Sequence, residues 1–298
     1  MNLKRGAKRL AVKSVSSQIG SSSLVSKEVL RMLKFEYGPF DNRLPAAHAQ
    51  GSASCISVDF DVTNSTRFLD NRKGTSVLLE LADRYDIPIT WAICGKSAED
   101  DMVSFSAILD SSTRHELGVH TYSHIDATRC SDREFKADIL RCTQSLGLDR
   151  PKTFVFPWNR EAHFDVLREL GFRTFRGKQR AIGMPVKKGG LWNVRPVYYV
   201  DQKSRAAGPL IHSYIDLCVR RSAVFHLWTH PWSIVADGKS EPMQKTLESV
   251  FEYMAKKREQ GVLATQTLGQ IAGMLDLRDA VAAPPQQSFE HPNQSTPS

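Results

Sequence analysis

At 298 residues the chain exceeds the usual length of one compact domain and falls within the range of a single α/β barrel. With 41% hydrophobic and 24% charged residues it reads as an ordinary soluble globular protein, and no run of about 18 apolar residues marks a transmembrane helix. Five scattered cysteines (Cys55, Cys94, Cys130, Cys142, Cys218) form no CxxC pair. This pattern excludes a disulfide framework and a cysteine-rich zinc module, and it fits a reducing compartment.

The net charge of +8 is concentrated at one end. Residues 1–34 hold eight Lys or Arg against the single acid Glu28, which accounts for +7 and leaves residues 35–298 almost neutral. No basic stripe interleaved with aromatics follows, so nucleic acid is not expected as a partner. Residues 1–50 read as a basic arm. It does not read as a secretory signal, because Lys13 and the polar run Ser14–Ser23 interrupt the apolar stretch such a signal needs. Within it, Leu24–Phe35 can form a short amphipathic helix with Val25, Val29, Met32 and Leu33 on one face. A docking helix or a solvated arm is one reading, weak contact with an anionic membrane the other. The expected location is cytoplasmic, with the inner face of the membrane as an extension of that reading.

Residues 51–278 alternate short β-like runs with helical stretches. Strands are predicted at Cys55–Val58, Ile87–Cys94, Glu116–Val119, Thr153–Phe156, Val197–Val200, Ala223–Trp228 and Val262–Thr265. Helices are predicted over Ser76–Tyr85, from the N-cap Ser131 to about Leu146, over Ala162–Leu170 with Gly171 as the stop, and over Glu241–Gln260. Repeated βα units imply an α/β fold with a parallel sheet or barrel and helices outside. Chemistry in such folds sits at the carboxyl ends of the strands. Residues 279–298, rich in Pro, Gln and Ser, are expected to form a disordered tail.

The polar residues suited to chemistry fall at those strand ends. Asp59 and Asp61 follow the first strand and His120 and His124 the third. Pro157-Trp158-Asn159-Arg160 follow the fourth, and His226-Leu-Trp228-Thr-His230-Pro spans the end of a late strand. One aspartate and two histidines offer N and O donors that suit Zn²⁺, Co²⁺ or Ni²⁺ with positions left open for water and substrate. Two histidines four apart lie on one side of a helical turn, so both reach one ion. Taken singly, each pattern has a plainer explanation: a chance HxxxH, an aspartate cap, a buried aromatic strand with satisfied histidines.

The run Arg114-His-Glu-Leu-Gly-Val-His-Thr-Tyr-Ser-His124 resembles the metal-binding motif of the polysaccharide deacetylase family, the NodB-homology domains of carbohydrate esterase family 4, with Glu116 and Gly118 ahead of the two histidines. Leu78–Gly95 resembles the helix-then-strand segment after that family's first motif. The resemblance spans roughly Cys55–Leu275. It implies a distorted (β/α)7 barrel and removal of an N- or O-acetyl group from a saccharide with one divalent transition metal ion, zinc first.

The family's first motif commonly has two adjacent aspartates, a base and a ligand. Here they are spaced as Asp59-Phe60-Asp61, similar to the Asp-x-Asp variant. The resemblance assigns Asp61, His120 and His124 to the metal and Asp59 to the base, with the two aspartates exchanged as the alternative. His230, followed by Pro231, matches the catalytic histidine. Pro157, Trp158, Asn159, Arg160, His226 and Trp228 become substrate-side candidates, with His226 also readable as a supporting or core histidine. The arginine that usually precedes the proline of the third motif is missing from Phe154–Arg160, and either Arg160 serves from the other side or nothing takes its place. An acetylated saccharide, an intermediate of cell-surface or secreted glycan synthesis, is the expected substrate. The competing functions are an amidohydrolase acting on a ureide or cyclic imide and a degenerate barrel that binds glycans without turning them over.

Overall fold

The computed structural model describes residues 51–61, 67–178, 180–235 and 240–282. The basic arm, its amphipathic helix and its membrane contact lie outside the described residues, as does the tail beyond 282. In chain order the strands are β1 (Ser52–Phe60), β2 (Ile89–Ile93), β3 (Glu116–Val119), β4 (Thr153–Val155), β5 (Thr174–Arg176), β6 (Val186–Lys188), β7 (Leu191–Asn193), β8 (Tyr198–Tyr199), β9 (Val224–Thr229) and β10 (Leu263–Thr265). The helices are α1 (Phe68–Tyr85), α2 (Gly95–Asp100), α3 (Met102–Leu109), α4 (Asp132–Ser145), α5 (Phe164–Glu169), α6 (Gly208–Arg220), α7 (Glu241–Glu259) and α8 (Leu268–Ala282).

The sheet runs β6-β7-β5-β4-β3-β2-β1-β9-β8, with β10 beside the first residues of β1. Among the described strands the pairings are parallel except the β6–β7 hairpin, and an isolated antiparallel bridge joins Gly183 to Val224. The sheet curls into the distorted barrel expected from the sequence. Its open side is closed by the segment after β7: the Val197 N–H bonds to the His226 carbonyl, and the Val200 N–H to that of Trp228. β1, paired with β2 on one side and β9 on the other, is buried along its whole length, as a strand covered on both faces must be. Ile56, Val58 and Phe60 pack in one apolar cluster with Leu78 and Leu81 of α1 and Phe251 of α7.

Helix α4 begins at the predicted cap, where Ser131 and Glu134 form a reciprocal capping box. Helix α5 ends before Gly171, whose φ of 85° favours glycine. Helix α1 starts at Phe68, eight residues before the predicted Ser76. Its first turns carry no apolar stripe and are held by polar contacts, Asn71 and Arg72 both donating to the buried Asp101. Helix α8, also unpredicted, is held at its start by side chains of other elements. Thr90 Oγ1 accepts from the Leu268 N–H at 2.9 Å, and Glu116 Oε2 from the Gly269 N–H at 3.0 Å. Helix α8 reaches Ala282 and so crosses the expected boundary at 278. Among the described residues no helix is long and apolar enough to cross a membrane.

One close approach positions the site. A Cβ at Gly74 would lie 1.9 Å from the Pro231 carbonyl oxygen, so only glycine lets α1 touch the turn that follows β9. The end of β9 and the start of α1 are thereby brought to one mouth.

Candidate metal and catalytic site

Side chains two apart on a strand share a face. Ser57, Asp59 and Asp61 therefore line one side of β1 and its end, at the carboxyl mouth of the barrel. His120 follows β3, and its Nδ1–H donates to the Val155 carbonyl at 2.8 Å, which leaves Nε2 free to ligate. The segment carrying both histidines is not the helical turn expected from their spacing. Thr121 and His124 have φ of 62° and 59°, and the chain doubles back to set the two imidazoles 4.9 Å apart. Left-handed backbone at non-glycine residues costs energy and persists where the surroundings impose it. Asp61, His120 and His124 each present a donor atom, all within 4.8 Å of one another.

His230, at the end of β9, points its Nε2 at both carboxylates, 3.5 Å from Asp61 and 3.7 Å from Asp59. Its Nδ1 lies 3.2 Å from the Tyr199 hydroxyl. The Trp232 indole N–H donates to Asp61 at 3.3 Å. Behind Asp59 sits Arg176, the last residue of β5. Its guanidinium forms a fully buried ion pair with Asp59, donates to Ser57 Oγ at 3.1 Å and lies 4.3 Å from the ring centroid of Trp228. Ser57 in turn donates to His226 Nε2 at 2.8 Å, while His226 Nδ1–H donates to the Val194 carbonyl.

These contacts set the charges. Burial raises the cost of ionising Asp59, but the Arg176 guanidinium and the neighbouring His120 and His230 hold its carboxyl below the ordinary range. Asp61 is likewise buried and held low by the bond from His230 and the charges of the three histidines. Burial lowers His120, and burial with His120 alongside takes His124 down to about 4. For His230 burial is outweighed by its bond to Asp61 and the charges of Asp61 and Asp59, so its imidazolium is favoured.

The pocket over these groups has a volume of about 540 Å³ and is lined by Asp59, Asp61, Arg67, His120, His124, Trp158, Asn159, Trp228, His230 and Trp232. Trp158 and Asn159 occupy the wall, as expected, on left-handed backbone at φ 56° and 54°, with the Trp158 ring 4.8 Å from that of His124. Three other substrate-side candidates are absent from the lining. Pro157 is buried at the start of a 3₁₀ turn, and His226 is sealed behind Ser57. Arg160 turns outward to Asp126 and does not substitute for the missing arginine. The arginine that does stand beside Asp59 is Arg176, on the strand next to β4 in the sheet. Sequence reasoning missed it with its three-residue strand, and it also missed Arg67, Tyr199 and Trp232. The available signal was an arginine ending the apolar run Thr174-Phe175-Arg176, one βα unit after Pro157.

The residues present fit a divalent transition ion. Two imidazoles favoured neutral and one carboxylate favoured ionised are in the protonation states that ligation requires, and the donor set is that of an open N, N, O site. Beside it, Asp59 Oδ1, Asn159 Oδ1 and Trp228 Nε1 are buried polar atoms with no protein partner. Such atoms are rare in folded proteins unless a ligand or water satisfies them.

Comparison with known proteins agrees with this geometry. Residues 48–175 match the family model described as polysaccharide deacetylase. A candidate polysaccharide deacetylase from Mycobacterium smegmatis aligns with a TM-score of 0.60 at 16% identity, covering 81% of this chain and 96% of the other. A second candidate, from Pseudomonas aeruginosa PAO1, aligns with a TM-score of 0.55 at 14% identity, covering 74% and 89%. At these identities the likeness is one of fold. No curated protein sequence matches the chain.

Proposed function

We propose that the chain is a member of the polysaccharide deacetylase family, whose model matches residues 48–175, and that it is a metal-dependent hydrolase removing an N-acetyl or O-acetyl group from a saccharide intermediate of cell-surface or secreted glycan synthesis. One observation carries the reading. A three-residue N, N, O donor set, the Asp59 carboxyl and the His230 imidazole meet in a single pocket.

Asp61, His120 and His124 would hold the ion, with zinc first and cobalt or nickel as alternatives. When bound, a divalent ion supplies Lewis acidity to water and to the acyl carbonyl. The protein's own groups do the rest. Asp59 is held ionised by Arg176 through Oδ2, while its Oδ1 has no partner, so a lone pair is available for the proton of an attacking water. His230 carries its proton on Nε2 beside the carboxylates and donates it to the departing amine, which would otherwise leave as a poor anion. Trp158, which is exposed, offers an apolar face to a sugar ring, and the unpartnered Trp228 N–H and Asn159 carbonyl offer it hydrogen bonds.

The test is elemental analysis combined with acetate release from N-acetylated oligosaccharides, run beside a panel of ureides and cyclic imides. The expected result is about one divalent ion per chain and acetate release that chelation abolishes and zinc restores. Replacing His120 and His124 together with alanine should remove the ion. Full metal content in that double variant, or turnover of the imides alone, would overturn the assignment.

A further inference from the structure

The pocket contains one charged side chain that the proposed chemistry does not use. Arg67 lies at the mouth, where its guanidinium rests 4.0 Å from the centroid of the Trp232 ring. The same indole donates its N–H to Asp61, so Arg67 stands one ring away from the metal donors. Trp232 gives the arginine a fixed seat through cation–π attraction. No carboxylate pairs with Arg67 among the described residues, whereas both acids in the lining have cationic partners, Asp59 with Arg176 and Asp61 with His230.

The position is also costly for an arginine. Arg67 is the N-cap of α1, and it makes no side-chain cap bond. A cation there adds to the positive end of the helix dipole, where an acid would be favoured. Local stability therefore argues against the residue that is present. A residue that breaks the local rule beside an active site is best explained by what it binds. The start of an 18-residue helix, a guanidinium with no carboxylate partner among the described residues and the ion proposed for Asp61, His120 and His124 together give the mouth a surplus of positive charge.

We propose that Arg67 is a specificity-determining residue that receives an anionic oxygen group, a carboxylate or a phosphate ester, carried by the substrate next to the acetylated sugar. This rests on the deacetylase reading of the same pocket and narrows it to acidic saccharides. The guanidinium fork pairs with such a group through two parallel N–H bonds. A neutral glycan offers it only hydroxyl groups.

The experiment uses the full zinc-loaded chain and three N-acetylated probes: neutral chitotetraose, a hyaluronan tetrasaccharide bearing uronate carboxylates, and UDP-N-acetylglucosamine bearing phosphates. Acetate release is measured at low and at high salt for the wild type, Arg67→Gln and Arg67→Lys. The expected result is a higher kcat/KM for at least one acidic probe than for chitotetraose, with the preferred probe identifying the group. That preference should shrink about tenfold in Arg67→Gln, the loss of one charge-assisted contact, recover partly in Arg67→Lys, and weaken with salt. An equal preference for neutral and acidic probes, or a ratio unchanged in Arg67→Gln, overturns the inference while leaving deacetylation standing. If no probe releases acetate, the deacetylase reading fails. Calorimetric binding of the same probes then decides the role of Arg67: binding of an acidic probe weakened about tenfold in Arg67→Gln supports it, and unchanged or undetectable binding overturns it.

Discussion

Arg176 at the end of β5 holds Asp59 of β1 in an ion pair sealed from solvent. The pair joins residues 117 apart in the chain, and it decides the charge of the group placed to take the proton from water. Burial alone favours the protonated Asp59 carboxyl. Arg176 reverses that preference.

The first prediction follows from the pair. Arg176→Met leaves a buried carboxylate uncompensated, a change that costs roughly 3–5 kcal/mol where one partner of such a pair is removed. The Asp59 carboxyl should then titrate higher, and the acid limb of kcat/KM should move to higher pH. Arg176→Lys keeps the charge but loses the fork that also reaches Ser57, so it should fall between. Denaturant midpoints and pH–rate profiles of the three proteins check this. An acid limb that stays in place in Arg176→Met would show that Asp59 is not the group it reports.

The two aspartates should fail differently. Asp61→Asn removes a ligand, so metal content should fall and excess zinc should partly restore acetate release. Asp59→Asn should keep its metal and lose about 10²–10⁴-fold in rate, the usual worth of a positioned base. Metal content and turnover measured on both variants at one pH separate the roles. The opposite pattern exchanges them.

The parts of this site legible in the sequence were those whose signal is local. Asp59, Asp61, His120, His124 and His230 each sit in a short pattern at a strand end, and the long helices α4 and α7 announce themselves by caps and apolar spacing. What was illegible depends on the curl of the sheet. Arg67 and Trp232 reach the pocket, and Arg176 and Tyr199 the side chains that line it, only because β5, the start of α1, β8 and the turn after β9 converge in space. The same reason explains Arg160, which is adjacent in sequence to Asn159 but turns away on the left-handed backbone at Trp158 and Asn159. Helix α8 was missed because its start is held by Glu116 and Thr90, residues about 150 and 180 positions upstream.

Tyr199 should act through His230. Its hydroxyl meets Nδ1 and its ring packs 4.2 Å from that of Trp228, so the imidazole is held with Nε2 toward the carboxylates. Tyr199→Phe keeps the packing and removes one hydrogen bond, worth about 1 kcal/mol. Roughly a fivefold fall in kcat is expected, with KM and metal content little changed. A rise in KM at constant kcat would instead place Tyr199 in substrate binding.

The last prediction concerns stability and acid. His115 accepts the Ile89 N–H on Nδ1, and its Nε2 lies 3.0 Å from Ser111 Oγ, an arrangement that needs the neutral ring. Burial lowers its pKa to about 4, and burial with the charge of Arg176 lowers that of His226 to about 3. Both values lie below the ordinary histidine pKa near 6.5, so the unfolded chain takes up these protons first as the pH falls. Their contribution is therefore intact above about pH 6.5 and is lost progressively down to the folded values. Each group can steepen the loss by up to about 1.4 kcal/mol per pH unit, less for His115, which is partly open to solvent. His115→Gln should lower stability at pH 8 but flatten its decline between pH 6.5 and 4 relative to wild type. Denaturant midpoints across that range measure it, and parallel curves for the two proteins would show that His115 titrates alike in the folded and unfolded states.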